Sequence, residues 1–200
     1  MKVKICGITD IQTANAAIKY GAEAIGFVFA HSKRKISPQK AKGIISKLPT
    51  EILKVGVFVN EDKEKIDKIV EATGLNVIQL HGDETPQFCE SFTLPVIKAL
   101  SIQTEADVEK ISDYRCEYVL LDSPKGKYRG GNGNVFDWAI LSSNKLSEQK
   151  IILAGGLTSE NVMQGIKLAN PYMVDVSSGV ESEGKKDLWK IKIFIDAAKQ

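Results

Sequence analysis

Short apolar runs alternate with helical patterns along the whole chain. The first run, over residues 3–6, predicts a strand, and apolar residues then recur at helical spacing from Ile11 to Ile18. Seven further runs predict strands, and a helical pattern follows each of them. These predicted strands cover residues 24–29, 55–59, 77–80, 96–100, 118–121, 151–153 and 172–176.

This alternation predicts the fold class. Strands that are apolar almost throughout and that alternate with helices are typical of a parallel sheet covered on both faces. Eight strand–helix units of roughly 25 residues each are the minimum for a closed barrel, whereas open doubly wound sheets usually have about five or six strands. We therefore predict a single-domain α/β protein, an eight-stranded parallel (β/α)8 or TIM barrel that spans residues 1–200.

The loops after the last two predicted strands consist of small residues. Gly155 and Gly156 follow the seventh strand, and Ser177, Ser178 and Gly179 follow the eighth. Small residues let backbone N–H groups approach an anion, and a helix N-terminus nearby adds a partial positive charge. The last two loops of such a barrel commonly bind a phosphate group. A phosphate site and a pair of ordinary turns are both consistent with this pattern.

Composition and charge limit the classes of partner. The chain has 43% hydrophobic and 26% charged residues, and its net charge of +2 gives no reason to expect a nucleic acid or a membrane as partner. No apolar stretch approaches the roughly 20 residues that span a bilayer, and the first residues lack the pattern of a signal peptide. Three cysteines that lie far apart predict no disulfide framework. We expect a cytoplasmic protein, either a monomer or a homodimer, that acts on a small molecule.

In a barrel of this kind, the active site lies at the C-terminal ends of the strands. Cys6 ends the first predicted strand, Arg34 lies in the second loop, His81 follows the fourth strand and Asp122 ends the sixth. The rule predicts that these four side chains face the same opening as the phosphate site.

Cys6 and Asp122 are candidates for acid–base chemistry. A cysteine at a strand end is often a small buried hydrophobe, but its thiol can also be tuned into a proton acceptor. Lys4 lies on the same side of the strand as Cys6, so the two would form a polar opening to the barrel. Asp122 either ends its strand in an Asx turn or, partly buried beside apolar residues, donates a proton.

Other polar candidates have two interpretations each. Arg34 could bind a substrate carboxylate through two parallel hydrogen bonds. The alternative is that Arg34 is an ordinary cation on the surface of the protein. The glycine-rich loop over residues 123–135 is either a lid that excludes water or a disordered surface loop, and it matches neither the dinucleotide nor the P-loop fingerprint. His31 and His81 have no partners at metal-ligand spacing, so we predict neither a metal nor another cofactor.

Several motifs together resemble those of the phosphoribosylanthranilate isomerase family. They span the whole chain in the family's order, which is far more specific than any one motif. The matching segments are KICGIT (4–9), SKRKISP (32–38), VGVFVN (55–60), QLHGDE (79–84), LLD (120–122), GGNGNVFDW (130–138), AGGLTSENV (154–162) and VDVSSGVE (174–181).

The resemblance implies an isomerase of tryptophan biosynthesis. The family's reaction is the Amadori rearrangement of N-(5-phosphoribosyl)anthranilate from an aldose to a ketose, without a cofactor. Carried over by motif, Asp122 resembles the general acid that opens the ribose ring, Cys6 the general base that removes the proton from carbon 2, and Arg34 the residue that binds the anthranilate carboxylate. The small residues of the last two loops resemble the phosphate site. Further substrate-binding residues are expected at Gln79, His81 and Asp175.

Two other functions fit parts of the pattern. A related barrel isomerase of histidine synthesis acts on an aminosugar phosphate, but the resemblance to it implies two carboxylates as acid and base, whereas the first strand here ends in Cys6. An enzyme that accepts both substrates is a variant of this alternative. A phosphate-binding domain without activity would keep the barrel, but the presence of both Cys6 and Asp122 argues against it.

Overall fold

The barrel predicted from the sequence is present and closed. The computed structural model describes residues 1–123, 138–142 and 149–200. In this part of the chain, eight parallel strands follow one another around the barrel in chain order, and the first pairs with the eighth. They are β1 (Lys2–Cys6), β2 (Ala24–Val28), β3 (Leu53–Phe58), β4 (Val77–Leu80), β5 (Val96–Ser101), β6 (Tyr118–Asp122), β7 (Lys150–Leu153) and β8 (Met173–Val176).

Helices lie between the strands and after the last one. Ser37 and Thr85 cap two of them, each with a proline directly after the cap, a combination that is typical of a helix start. None of the helices in the described residues is long and apolar enough to cross a membrane. They are α1 (Ile11–Tyr20), α2 (Pro38–Ile45), α3 (Lys63–Thr73), α4 (Pro86–Glu90), α5 (Glu105–Glu109), α6 (Ala139–Ser142), α7 (Val162–Ala169) and α8 (Leu188–Ala198).

Side chains of the strands alternate between two apolar layers. The larger layer lies between the strands and the helices and includes Val3 and Ile5 of β1. Because successive strand residues point to opposite faces, Lys4 and Cys6 point into the barrel. The smaller layer fills the barrel interior and consists of Ala24, Val55, Val77, Ile97, Ala99, Tyr118, Leu120, Ile152, Ala154 and Met173.

Two features near the C-terminal end of the chain were not given by the sequence prediction. α7 begins at Val162, after a turn that separates it from Gly156. A hairpin of two very short strands, β9 (Glu181–Ser182) and β10 (Lys185–Lys186), lies between β8 and α8 and was not predicted. The predicted lid over residues 123–135 lies outside the described residues except for Ser123.

Candidate active site

A cavity of about 890 Å³ opens at the C-terminal ends of the strands. This is the end of a (β/α)8 barrel at which enzymes of the fold place their chemistry. The structure brings every side chain predicted for the site to this one cavity. Those that line it are Cys6, Arg34, Gln79, His81, Asp122, Gly155, Gly156, Asp175, Ser177, Ser178 and Gly179.

Cys6 lies at the end of β1, next to a buried ion pair. Lys4 Nζ lies 2.8 Å from Asp175 Oδ2, and the Lys4 side chain is 0% exposed. Gly26 is the register partner of Cys6 in β2, and a Cβ atom there would lie only 2.7 Å from the Cys6 sulfur. The thiol therefore occupies space that a side chain on β2 would fill.

Burial raises the pKa of the Cys6 thiol above its ordinary value of 9.0, because the thiolate would lose hydration. The positive charge of Lys4 lowers this pKa, and so does the charge of Lys186. The negative charge of Asp175 raises it further. For Lys4 itself, burial would lower the pKa, but the charge and hydrogen bond of Asp175 outweigh burial and the pKa is raised. The site thus holds a neutral thiol beside a charged ammonium group.

Asp122 ends β6 and is oriented by its neighbours. Its Oδ1 accepts a hydrogen bond from the backbone N–H of Ser123 at 2.8 Å, and its Oδ2 lies 3.2 Å from His81 Nε2. Gln79 Nε2 lies 3.0 Å from His81 Nδ1. A neutral imidazole that accepts from Gln79 at Nδ1 carries its proton on Nε2 and donates it to Asp122. This series of contacts fixes the carboxyl group at the cavity wall.

Arg34 reaches the cavity from the loop after β2 and is held by Glu181. Its Nε and Nη2 donate to the two carboxylate oxygens of Glu181 at 2.6 and 2.8 Å, and this hydrogen bonding raises the pKa of Arg34. The aliphatic part of Arg34 passes over Gly7, where a Cβ atom would lie 2.5 Å from Arg34 Cδ. Gly7 also has a φ of +82°. Glycine is therefore favoured here for two reasons: its backbone adopts a positive φ readily, and the Arg34 side chain leaves no room for a Cβ atom.

Glu181 also contacts Lys186, its partner in the hairpin. Lys186 Nζ lies 2.7 Å from Glu181 Oε1. Burial would raise the pKa of Glu181, but the hydrogen bond from Arg34 and the charge of Lys186 outweigh burial and the pKa is lowered. Burial lowers the pKa of Lys186, against the opposing effect of Glu181. Sequence reasoning gave neither hairpin residue a role; the signal that could have found them is the glycine within ESEGKK, which is typical of a two-residue hairpin turn.

The two small-residue loops, after β7 and after β8, touch each other. A Cβ atom at Gly179 would lie 1.9 Å from the carbonyl oxygen of Leu157, so the second loop rests directly on the backbone of the first. Gly155 and Gly156 have φ values of +80° and +65°, in the left-handed region that glycine adopts readily. A Cβ atom at Gly155 would also lie 2.5 Å from the backbone nitrogen of Ser123. Close backbone packing thus joins both loops to the end of β6.

A second buried ion pair holds the loop after β4. Lys98 Nζ lies 2.7 Å from Glu84 Oε2, with side chains 1% and 3% exposed. The Glu84 carboxylate also accepts hydrogen bonds from the backbone N–H groups of Gly82 and Asn60, both at 2.8 Å. The pair therefore fixes the turn that directly follows His81. Sequence reasoning missed this pair, because a lysine within an apolar strand does not reveal its partner.

Two acceptors in the cavity have unused hydrogen-bonding capacity. Among the described residues, Gln79 Oε1 and Asp175 Oδ1 are buried side-chain oxygens without a hydrogen-bond partner. Buried acceptors normally have a partner, so these two oxygens suit the hydroxyl groups of a polar ligand. No cluster of three or more His, Cys, Asp or Glu side chains that could hold a metal ion occurs in the described parts of the chain.

Comparison with known proteins points to one family. The family model for N-(5'-phosphoribosyl)anthranilate (PRA) isomerase matches residues 3–197. A protein of Bacillus cereus (strain AH187) named N-(5'-phosphoribosyl)anthranilate isomerase is 55% identical over 202 residues, which cover 100% of this chain and 98% of that protein. The crystal structure of phosphoribosyl anthranilate isomerase from Thermotoga maritima is similar with a TM-score of 0.93 and 43% identity, and covers 100% of this chain and 98% of its own. A crystal structure of the isomerase in complex with reduced 1-(o-carboxyphenylamino)-1-deoxyribulose 5-phosphate has a TM-score of 0.90, 42% identity and the same coverage.

Proposed function

Because the chain belongs to the N-(5'-phosphoribosyl)anthranilate isomerase family, we propose that its cavity performs the Amadori rearrangement of N-(5-phosphoribosyl)anthranilate to 1-(2-carboxyphenylamino)-1-deoxyribulose 5-phosphate. Membership of the family makes the protein an enzyme, an isomerase of tryptophan biosynthesis. The observation that carries the proposed chemistry is that Cys6 and Asp122 line one cavity together with Arg34 and the two small-residue loops.

Asp122 is the general acid in this proposal. It gives a proton to the ribose ring oxygen as the bond between that oxygen and carbon 1 breaks, and the nitrogen lone pair forms the C=N bond of a Schiff base. The carboxylate that remains keeps hydrogen bonds from the Ser123 N–H and from His81 Nε2. Donors in such positions stabilise the negative charge that appears during the step.

Cys6 is the general base. Its thiolate takes the proton from carbon 2, and the electron pair of the C–H bond forms a C=C bond with carbon 1 as the π pair of the C=N bond moves onto nitrogen. The resulting enolamine becomes the ketone when its hydroxyl group loses a proton and carbon 1 gains one. Carbon 1 is reduced and carbon 2 is oxidised within one molecule, so the step balances without an external oxidant. The raised pKa of Cys6 makes the thiolate scarce but strongly basic, and the charge of Lys4 stabilises it.

Binding at both ends of the substrate positions the sugar for these steps. The guanidinium of Arg34 suits the anthranilate carboxylate, and the two small-residue loops suit the phosphate group. Gln79 Oε1 and Asp175 Oδ1 suit the ribose hydroxyl groups, because both are buried acceptors without a partner among the described residues. Holding the ends in this way places carbons 1 and 2 near the acid and the base.

Turnover of freshly prepared N-(5-phosphoribosyl)anthranilate, followed by the loss of its fluorescence, tests these roles. We expect kcat to fall roughly 10²–10⁴-fold in Cys6→Ser and in Asp122→Asn, while the reduced product analogue still binds. Cys89→Ser and Asp67→Asn, which change a buried thiol and an exposed carboxylate outside the cavity lining, should retain the wild-type kcat. If the variants at Cys6 and Asp122 keep wild-type turnover, the two roles are wrong and the family assignment stands.

A further inference from the structure

Glu181 and Lys186 contact both ends of the proposed substrate site without lining the cavity. Glu181 binds Arg34 on one side and Lys186 on the other. Lys186 Nζ donates to the carbonyl oxygen of Ser177 at 2.8 Å and lies 3.2 Å from Ser177 Oγ. The Ser177 hydroxyl in turn donates to the carbonyl oxygen of Cys6 at 3.1 Å. One continuous series of polar contacts therefore joins the arginine to the loop after β8 and to the end of β1.

The hairpin puts the two residues side by side. Lys186 and Glu181 are register partners in β10 and β9, and opposite residues on one face of a hairpin contact each other. Glu183 and Gly184 between them have φ values of +52° and +76°, and positive φ at both central residues is what a type I′ turn requires. The Glu181 carbonyl accepts a hydrogen bond from Lys190 Nζ of α8 at 2.8 Å. The turn and α8 thus hold the pair in place.

The contact with Glu181 leaves part of the Arg34 guanidinium available. Arginine has five N–H donors in one plane, and Glu181 uses the Nε–H and one N–H of Nη2. The edge formed by Nη1 and the other N–H of Nη2 therefore remains for a second carboxylate, which it can bind through two parallel hydrogen bonds. Glu181 and the close contact with Gly7 together fix the direction of that edge.

Lys186 changes the charge of this group of residues. Arg34 and Lys186 both pair with the single carboxylate of Glu181, so the three side chains carry one net positive charge. An Arg34–Glu181 pair alone would be neutral and would attract a substrate with a carboxylate and a phosphate only weakly. The Lys186 side chain is 5% exposed, so solvent screens its charge less than that of a surface lysine.

We propose that Glu181 and Lys186 are positioning residues: Glu181 makes the isomerase selective for a substrate with an aromatic carboxylate, and Lys186 supports binding of the phosphate group. Glu181 aims the free edge of Arg34 at that carboxylate. Lys186 holds the loop after β8 and keeps the group of side chains positive. Both residues act through others, and the inference rests on the proposed role of Arg34 in the reaction.

The first test compares N-(5-phosphoribosyl)anthranilate with N-(5-phosphoribosyl)aniline, which lacks the carboxylate. The ratio of kcat/KM for the two substrates measures how much the carboxylate contributes to selectivity. In Glu181→Gln, which keeps the size of the side chain and removes its charge, we expect KM for the anthranilate to rise about tenfold. kcat for the anthranilate and kcat/KM for the aniline should stay close to wild type.

The second test addresses Lys186. Because both substrates carry the phosphate, Lys186→Met should raise KM for both, by about tenfold, and should weaken inhibition by inorganic phosphate. Lys186→Arg, which keeps the charge, should recover most of this loss. Lys185→Met is the matched control, because it removes the same charge from the exposed neighbouring position and should leave both KM values unchanged.

Arg34→Gln separates this inference from the proposed function. If Arg34→Gln abolishes the preference for the carboxylate and Glu181→Gln leaves the preference intact, the positioning role of Glu181 is wrong and the proposed function stands. If Arg34→Gln leaves the preference unchanged, the carboxylate role of Arg34 fails and the role of Glu181 fails with it. Lys186→Met with wild-type KM values would overturn the role of Lys186. Should Glu181→Gln be unfolded at the assay temperature, Glu181→Asp, which keeps the charge on a shorter side chain, gives the same readout.

Discussion

A thiol that serves as a base must lose its proton before it can accept another. At Cys6, burial opposes that loss and raises the pKa, while the charges of Lys4 and Lys186 favour the thiolate. Lys4 is also paired with Asp175, whose negative charge has the opposite effect on the thiol. The reactivity of Cys6 therefore depends on how its charged neighbours are arranged around it.

The pH dependence of Cys6 alkylation follows from this arrangement. Only the thiolate reacts with iodoacetamide, so in the free enzyme the alkylation rate should be low at neutral pH and should still be rising at pH 9.0, the ordinary pKa of the thiol. Lys186→Met should move the midpoint to still higher pH, because it removes a positive charge that favours the thiolate. Mass spectrometry of the peptide that contains Cys6 gives the rate.

Lys185→Met serves as the control in this experiment and should keep the wild-type midpoint. The reduced product analogue should protect Cys6, since Cys6 lines the cavity. A midpoint clearly below 9.0 would contradict the effect of burial on Cys6.

At the scale of elements, the site depends on loops that pack backbone against backbone. Gly179 of the loop after β8 lies against the carbonyl oxygen of Leu157 in the loop after β7. Any side chain at this position would push the two loops apart. A phosphate group bound by both loops would then lose contacts with at least one of them.

We expect Gly179→Ala to weaken the affinity for inorganic phosphate and for the reduced product analogue at least about tenfold. Insertion of a methyl group into packed backbone should also lower the free energy of unfolding by about 1–3 kcal/mol. Gly43→Ala is the matched control, because a Cβ atom in that position of α2 meets nothing within 4 Å. Isothermal titration and urea unfolding measure the two effects, and unchanged phosphate affinity in Gly179→Ala would argue against the shared phosphate site.

The elements that the sequence predicted are those whose signals are local. Ser37 with Pro38, and Thr85 with Pro86, mark two helix starts by cap chemistry that needs no distant partner. The position of Cys6 and Asp122 at strand ends was likewise enough to predict that both face the same end of the barrel.

Other contacts could not be predicted, because their causes lie far apart in the chain. Glu181 meets Arg34 across a separation of 147 residues, and the hairpin that carries Glu181 has strands of only 2 residues, too short for a periodic pattern. The start of α7 at Val162 was not predicted for a related reason: the turn before it is stabilised by hydrogen bonds of Asn161 with Thr158 and Gly156, which periodicity does not report.

At the scale of the whole molecule, β1 and β8 close the barrel, and a buried ion pair lies across the closure. Lys4 and Asp175 are register partners in the two strands, and their side chains are 0% and 9% exposed. A buried pair of this kind adds little stability relative to apolar side chains, but the loss of one partner leaves an uncompensated charge. The loss of either Lys4 or Asp175 alone should therefore destabilise the closed barrel.

Lys4→Met should lower the free energy of unfolding by about 3–5 kcal/mol at neutral pH. The double variant Lys4→Met/Asp175→Asn should recover part of this loss, because it removes both charges. Lys2→Met, at the exposed start of the same strand, should change the free energy by no more than about 0.5 kcal/mol. Urea unfolding measures all three, and a double variant no more stable than Lys4→Met would contradict the explanation.

The same pair predicts how stability changes in alkali. The folded-state pKa of Lys4 is raised above the ordinary 10.5, so its contribution to the free energy of unfolding is complete below that pH and is lost as the pH rises through the folded-state value. In strong alkali, the free energy of unfolding should therefore fall further in the wild type than in Lys4→Met. Equal alkaline losses in both proteins would contradict the assignment to Lys4.

The ion pair also has a consequence during protein synthesis. Asp175 follows Lys4 by 171 residues, a separation that a ribosome needs roughly 10–30 s to translate. Until β8 has been made, β1 lacks the strand that covers one of its edges, and a free strand edge readily pairs with other chains. Lys4 opposes such pairing, because stacking β1 against another sheet would bury an ammonium group without a counterion. We therefore expect the buried lysine to disfavour such pairing until Asp175 has been synthesised and can neutralise its charge.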